Sequence, residues 1–407
     1  MNSTEIFSLA LGLDSPWKIE RVEIKIAENS IKELHLHIGH TEGYQFKDKD
    51  EKPCSVYDTK DREWRHMNFF EHHCYIHCSV PRIKTSEGKI RQVDVPWARK
   101  QSGFTLLFEA LSMSLIENEM PINKVAKLLG EQPNRIWRIF NYWIKLAYQK
   151  DDVSQVTQLG FDETSRRKGH SYITVAVDLE ERRVIHVVKG KNAKTIEDIK
   201  VYLDNKGLLA TQITQASIDL SPAFISGIKE HFPQADITFD RFHVVKLLNE
   251  AMDTVRKQER KEHEQLKGHK YTFLKNKLSD KKQSELNELI TLYPTLGEAY
   301  RLKTLFNDLW TMPDKDAAIA FINQWCNEVE TSKIPAFMKF VKTVKAHLSG
   351  IINFIETKIT NAILESINNK IQMAKKRARG YRNTDNFINM IYFLCSKLKF
   401  DYPHNMA

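Results

Sequence analysis

The hydrophobic period of this chain changes along its length, and the changes predict a multidomain protein of the α/β and α class. Strand-like alternation appears over residues 18–40 and again at 75–80, and helical spacing takes over from 104 to 147. Strands and helices mix between 151 and 243, and from 244 to 355 only the helical period remains. The expected architecture is a mixed sheet interrupted by an all-helical insertion, preceded by a helix-turn-helix and an N-terminal β-rich domain. A chain of 407 residues is too long for one simple core. The expected segments are 1–98 (β-rich), 99–150 (helix-turn-helix), 151–248 (first part of the sheet), 249–355 (insertion) and 356–407 (second part of the sheet domain).

In the first segment, Ile19, Val22, Ile24 and Ile26 sit among charges, and Leu34, Leu36 and Ile38 alternate with His35 and His37. This reads as a β-hairpin over 18–40. A charged loop, Asp48–Pro53, leads to the one cluster of metal-ligand types: Cys54, His66, His72, His73, Cys74, His77 and Cys78. Zinc sites favour Cys-x-x-Cys pairs, and none is present. Cys74 and Cys78 fall in the strand Tyr75–Val80, whose alternation puts them with Ile76 on one face as core residues. A zinc ion held by Cys54, Cys74 and Cys78 stays open beside that reading.

Phe104, Leu107, Phe108, Leu111 and Leu115 mark a first helix, and Pro121 opens a second. Gly130–Pro133 is a turn, after which the helix Asn134–Ala147 carries Arg135, Arg138 and Lys145 outward and Ile136, Trp137, Phe140 and Ile144 inward. Helix, glycine turn and basic second helix is a helix-turn-helix pattern, although many α-hairpins share it.

Val156–Phe161 is a strand ending at Asp162-Glu163. Tyr172–Val177 and Val184–Val188 form a hairpin, Thr195–Leu203 a helix, and Ile213–Ile218 a strand ending at Asp219. Ser221-Pro222 starts a helix to His231, and Ile237–Phe239 is a short strand ending at Asp240. Aspartates commonly begin turns, but here they recur at strand ends. Helices follow at 241–267, 280–292, 296–310, 314–330 and 336–355, with Trp310 and Trp325 in their apolar stripes.

Asn361 is placed to cap a further helix, with Glu365 and Asn369 on one face and Ile363, Ile367 and Ile371 forming an apolar stripe. Lys370, Lys375, Lys376, Arg377 and Arg379 make the stretch densely cationic. Phe387–Leu398 is a last amphipathic helix suited to packing on the sheet.

Hydrophobic residues at 42% and charged residues at 28% fit a soluble globular chain. Lys and Arg number 61 against 52 Asp and Glu, and the pI is near 9.0, which points to a polyanionic partner. The start has no basic n-region and no apolar run reaches membrane-spanning length. Five cysteines, an odd number, argue against a disulfide framework, so a cytoplasmic, nucleoid-associated location is expected.

Four strings, in order, carry a resemblance. They are Gly160-Phe161-Asp162-Glu163-Thr164-Ser165 with Arg167-Lys168-Gly169-His170; Asp219-Leu220-Ser221-Pro222-Ala223; Asp240-Arg241-Phe242-His243-Val244-Val245-Lys246; and Thr360-Asn361 through Glu365, Asn368-Asn369-Lys370 and Gly380-Tyr381-Arg382. Together they resemble the DDE transposases of the ISL-three insertion-sequence family, which have an RNase H-like catalytic domain. The resemblance runs over roughly residues 40–400. It implies Asp162, Asp219 and Glu365 as a catalytic triad holding two Mg²⁺ ions, for which Mn²⁺ can substitute. It matches Asp240 and His243 to an Asp-x-x-His signature. His243 either polarises the scissile phosphate and helps expel the strand, or only caps its neighbour. The N-terminal domain is zinc-finger-like in this family, yet Cys54 has no paired cysteine and 85–88 contain none.

The implied activity is binding of terminal inverted repeats, metal-dependent strand cleavage and strand transfer into target DNA. Joining two ends requires at least a homodimer, and no membrane is involved. Arg135, Arg138, Lys370, Lys375, Lys376, Arg377 and Arg379 are the expected DNA contacts. His170, preceded by Arg166, Arg167 and Lys168, is either a backbone contact or a solvated turn. The rival readings are a non-catalytic DNA-binding repressor derived from a transposase and a structure-specific nuclease.

Overall fold

The computed structural model describes residues 2–26, 32–167, 171–275, 277–357 and 362–402. They form two compact units, one of residues 2–149 with 399–402, the other of 150–398. The β-rich segment and the helix-turn-helix therefore share a unit, and the end of the chain returns to it. Among the described residues no helix is long and apolar enough to cross a membrane.

The first unit begins with α1 (Ser3–Ala10), capped by Asn2, and the hairpin β1 (Trp17–Ile26) and β2 (Lys32–His40). A small pair, β3 (Phe46–Lys47) and β4 (Pro53–Cys54), leads into the long strands β5 (Val56–Phe69) and β6 (His72–Lys84), with β7 (Ile90–Gln92) beside β6. The sheet order is β1-β2-β6-β5, and β2 and β6 are parallel. Their register pairs Leu34 with Cys74, Leu36 with Ile76 and Ile38 with Cys78, all on the buried face. On the other face His35, His37, Tyr75 and His77 stack. The sequence reading has no strand at β5. Most of β5 is exposed on both faces, so its residues carry no alternation to read.

The helix-turn-helix consists of α2 (Leu106–Glu117), α3 (Ile122–Leu129) and α4 (Pro133–Lys150). Gly130 ends α3 with φ +68°, and a Cβ there would lie 2.6 Å from His73 Nε2, so both backbone and space require glycine. The turn is tied to the sheet by the buried Arg65, which donates to the Cys74 carbonyl at 3.2 Å and lies 3.8 Å from Glu131. Under α2, the fully buried Glu109 accepts from Arg99 Nε (2.9 Å), Ser102 Oγ (2.6 Å) and Trp143 Nε1 (2.8 Å).

The second unit carries β8 (Gln158–Arg167), β9 (Ser171–Asp178) and β10 (Arg183–Lys189), then α5 (Ala193–Asn205), β11 (Gln215–Ile218), α6 (Pro222–His231) and β12 (Asp236–Phe239). The order is β10-β9-β8-β11-β12, antiparallel across β10, β9 and β8 and parallel across β8, β11 and β12. The predicted five strands and hairpin are all present. One boundary moves: β8 does not stop at Phe161 but continues through Asp162 to Arg167, paired with β9.

The insertion comprises α7 (Arg241–Glu259), α8 (Lys270–Leu274), α9 (Asp280–Leu292), α10 (Pro294–Phe306), α11 (Lys315–Ser332), α12 (Pro335–Ala346) and α13 (Leu348–Thr357). Trp310 and Trp325 are in its core, as expected. Two predicted helices are shorter. The one expected over 241–267 ends at Glu259, and the chain folds back so that Leu266 is buried and its carbonyl accepts from Arg256 at 3.3 Å. The one expected over 336–355 breaks at His347, which turns α13 onto the edge strand β12. There Asn353 Nδ2 donates to the Ile237 carbonyl at 2.8 Å, covering the open sheet edge. A single apolar core runs from the sheet into the insertion. Finally α14 (Ala362–Arg377) and α15 (Thr384–Cys395) return to the sheet, where Tyr392 accepts a hydrogen bond from Val187 N at 3.0 Å.

Two outcomes follow from this packing. A Cβ at Gly350 would lie 2.5 Å from the Phe239 ring and 3.1 Å from the Ile237 carbonyl. Gly350→Val is expected to destabilise the second unit by about 1–3 kcal/mol, read as a lower denaturant midpoint. In the first unit, loss of hydration holds the His66 and His77 imidazoles down at about 4, against 6.5 unperturbed. Above pH 6.5 both are neutral whether folded or unfolded. As pH falls from 6.5 towards 4 the unfolded chain takes up protons that the fold refuses, so stability is lost over that window. A His66→Gln, His77→Gln variant should show a flatter fall in melting temperature there than the wild type.

Candidate active site

The parallel strands set three carboxylates at one height. Ser217 of β11 pairs with Gly160 of β8, so two residues further on Asp219 stands level with Asp162. Ile218 pairs with Phe239 of β12, so the next step puts Asp219 beside Asp240. Parallel neighbours lie about 4.8 Å apart, and the three aspartates form a row across them.

Each aspartate accepts a hydrogen bond from a backbone amide just ahead of it, from the following turn at Asp219 and Asp240 and from within β8 at Asp162. Asp162 Oδ1 accepts from Glu163 N at 2.7 Å, and Asp219 Oδ1 from Ser221 N at 2.9 Å. Asp240 caps α7 by accepting from Phe242 N at 2.9 Å, and its other oxygen is 2.9 Å from His243 Nδ1. Burial pushes the Asp162 carboxyl up to about 6; the Glu163 amide and His243 counter the rise, while Asp219 and Asp240 add to it. His243 is raised above its usual value, first by its bond to Asp240 and also by Asp219 and Asp162. A cation seated among these oxygens would offset the repulsion from Asp219 and Asp240 that adds to the effect of burial on Asp162.

Helix α14 lies along β8 in matching steps. Leu364 packs at Gly160, where a Cβ would lie 3.0 Å from Leu364 Cδ2. Asn368 Nδ2 then donates to Asp162 Oδ2, Gln372 Nε2 to Thr164 Oγ1 at 2.8 Å, and Lys375 Nζ to the Ser165 carbonyl at 2.7 Å. Four helical residues rise about 6 Å and two strand residues about 6.6 Å, so one contact per turn stays in register. Glu365 is exposed on α14, one turn before Asn368 and on the same side of the helix.

Asp162, Asp219, Asp240 and His243 are thus brought together, with Glu365 on the adjoining helix. Among the described residues no three His, Cys, Asp or Glu side chains are gathered closely enough to hold an ion. The donors nonetheless suit a hard divalent cation. They are carboxylate oxygens, and beside them the buried Asn368 Oδ1 has no hydrogen-bond partner among the described residues.

Other expected residues fall elsewhere. Asn361, Lys168 and His170 lie outside the described residues. Asn369 is exposed, and it is Asn368 that reaches the aspartate. Arg166 is not in a solvated turn: it donates to Ser171 Oγ at 3.0 Å and the Arg382 carbonyl at 3.2 Å. Arg135 is not simply outward, since it pairs with Glu131 at 2.6 Å and lies over Phe104 at 4.3 Å. Arg138 and Lys145 are exposed on α4, as are Lys370, Lys376, Arg377 and Arg379 around α14. Lys375 is turned inward onto β8 instead.

The cysteines do not converge. Cys54 donates its thiol to the Lys52 carbonyl at 3.4 Å on its own small ladder. Cys74 and Cys78 are four residues apart on one face of β6, about 13 Å along the strand, and burial pushes both thiols up to about 12. Asn368 and Gln372 were missed as site residues. Their polar spacing of four, followed by Lys375 three residues on, runs beside the isoleucine stripe and was the available signal.

A family model described as a transposase matches residues 159–391. A second, described as the helix-turn-helix domain of transposase family ISL3, matches residues 93–144. The chain is 28% identical over 391 residues to the transposase for insertion sequence element IS1001 of Bordetella parapertussis, covering 93% of this chain and 95% of that protein. It is 23% identical over 355 residues to the transposase for insertion sequence element IS1557 of Mycobacterium tuberculosis H37Rv, covering 79% of each.

The two neighbouring lysines of α14 should behave differently. Lys375→Ala is expected to lower stability by about 1 kcal/mol through its lost bond to β8. Lys376→Ala should leave the denaturant midpoint unchanged within about 0.5 kcal/mol.

Proposed function

The chain belongs to transposase family ISL3, and from that membership we propose that it cleaves and rejoins DNA at the ends of a bacterial insertion sequence. Asp162, Asp219 and Glu365 are the proposed catalytic triad, and the exposed basic residues of α4 and α14 the proposed DNA contacts. The observation that carries this reading is the aspartate row, Asp219 and Asp240 just past the ends of two parallel strands and level with Asp162 within the third, with α14 docked over that third strand. The strand order and the insertion before the Glu365 helix support an RNase H-like catalytic domain.

In the proposed first step, water attacks a phosphodiester at the element's end. A new P–O bond forms to the water oxygen, the bond to the 3′ oxygen breaks, and that oxygen leaves as a hydroxyl. In the second step the same 3′-hydroxyl attacks a target phosphate, displacing a 3′ oxygen of the target strand. Two Mg²⁺ ions, when bound by Asp162, Asp219 and Glu365, would activate the attacking oxygen and stabilise the leaving one, and Mn²⁺ can replace them. Asn368 and the Glu163 amide orient Asp162 for this role. Asp240 holds His243 by its Nδ1 and favours the protonated ring, which leaves the other nitrogen to donate to a phosphate oxygen.

Sequence recognition falls to the helix-turn-helix, whose α4 presents Arg138 and Lys145 to a major groove. Lys370, Lys376, Arg377 and Arg379 suit phosphates and carry no sequence information. Two DNA ends have to be joined, so the working form is a dimer or larger assembly on DNA.

The test is cleavage of a labelled element-end duplex with Mg²⁺ or Mn²⁺ by wild type, Asp162→Asn and Glu365→Gln. The wild type should nick at the terminus. Both variants should retain duplex binding and lose cleavage by more than the roughly 100-fold that removal of an outer-shell group produces. Binding without cleavage by the wild type would replace this reading with the repressor one.

A further inference from the structure

The amide of Asn368 faces two ways. Its Nδ2 donates to Asp162 Oδ2, and its Oδ1, one bond from the same carbon, is buried with no partner among the described residues. An acceptor left bare in the interior is costly, and here it lies next to the carboxylate row. The side chain is also not free to turn away. Leu364 packs at Gly160 on one side of it, and Gln372 and Lys375 are bonded to Thr164 and Ser165 on the other. The next residue, Asn369, points to solvent, so the helical turn singles out position 368.

We propose that Asn368 is a positioning residue that aims the Asp162 carboxylate and also supplies a neutral oxygen ligand to the divalent cation. The chemistry favours an amide over a carboxylate at this place. Asp162, Asp219 and Asp240 already repel one another, and a carbonyl oxygen adds a hard donor without adding charge. The amide nitrogen meanwhile satisfies the Asp162 oxygen that the ions do not take. This inference rests on the metal-dependent reading above, so its test separates the two.

Mn²⁺ binding to the full chain is measured by electron paramagnetic resonance, without DNA cleavage, for wild type, Asp162→Asn, Asn368→Leu and Asn368→Asp. The melting temperature of each variant is taken without metal. Wild type should bind Mn²⁺ and Asp162→Asn should lose it. Asn368→Leu should bind at least about tenfold more weakly, with an altered Mn²⁺ spectrum. Asn368→Asp keeps an oxygen but loses the N–H that Asp162 accepts and sets a fourth carboxylate beside the row, so it too should bind Mn²⁺ more weakly than wild type, by at least about threefold. Wild-type affinity in Asn368→Leu overturns the proposal, and so does wild-type affinity in Asn368→Asp. Should the leucine variant not fold, the aspartate variant decides by the same criterion. If Asp162→Asn binds as well as wild type, the metal reading itself fails and takes this proposal with it.

Discussion

Like charges set side by side across three parallel strands repel, and much of the second unit is arranged around that repulsion. The row Asp162, Asp219 and Asp240 arises from parallel register: β11 and β12 stop before Asp219 and Asp240, where the chain turns, and Asp162 lies level with them within β8. An aspartate is a favourable residue at such a turn, since its oxygen accepts the amide ahead of it. Those local bonds hold the carboxylates in place but do not neutralise them. Asp162 bears the cost most visibly, its carboxyl pushed up to about 6 by burial with its two neighbours adding to the effect. His243 offsets part of it, drawn towards its charged form by the same oxygens.

The helix that completes the site is positioned by a match of two repeats. One turn of α14 and two residues of β8 advance by nearly the same distance, so Leu364, Asn368, Gln372 and Lys375 each meet the strand. The middle contacts are polar and directional, which locks both the rotation of the helix and its height. Glu365 inherits its place from them: it is one turn before Asn368 and follows wherever that anchor is set. The insertion is fixed to the far edge of the same sheet. Gly350 allows α13 to approach Phe239, and Asn353 satisfies a carbonyl of β12 that would otherwise face outward.

The first unit solves a separate problem with buried charge. Glu109 and Arg65 are taken out of water, and each is surrounded by bonding partners: Arg99, Ser102 and Trp143 for the one, backbone carbonyls and Glu131 for the other. Each buried ion is held from several sides, so such networks specify one arrangement of α2, α4 and the sheet. Arg65 in particular ties the turn between α3 and α4 to β5, which holds the two helices at a set angle for presenting Arg138 and Lys145.

Alternation, helical spacing and turn residues were enough to locate the hairpin of β1 and β2, the helix-turn-helix, all five strands of the second sheet and the helical insertion. The aspartates were legible because a polar residue closing an apolar strand breaks the pattern, and so was the start of α6, from Ser221-Pro222. Strand β5 was not legible, because a strand exposed on both faces has no period. The scattered positions of Cys54, Cys74 and Cys78 likewise depend on which strands pair, a long-range matter that residue types do not encode. Lys375 and Arg135 read as free cations, and only packing shows them turned onto β8 and Glu131. By itself the sequence determined which elements form and that Asp219 and Asp240 end strands, since both follow from local periodicity and turn chemistry, whereas the run of β8 past Asp162 is set by its pairing with β9. The tertiary structure alone decided that Asn368 faces Asp162 and that Asp240 joins the row, because register between distant segments is set by how their apolar faces pack.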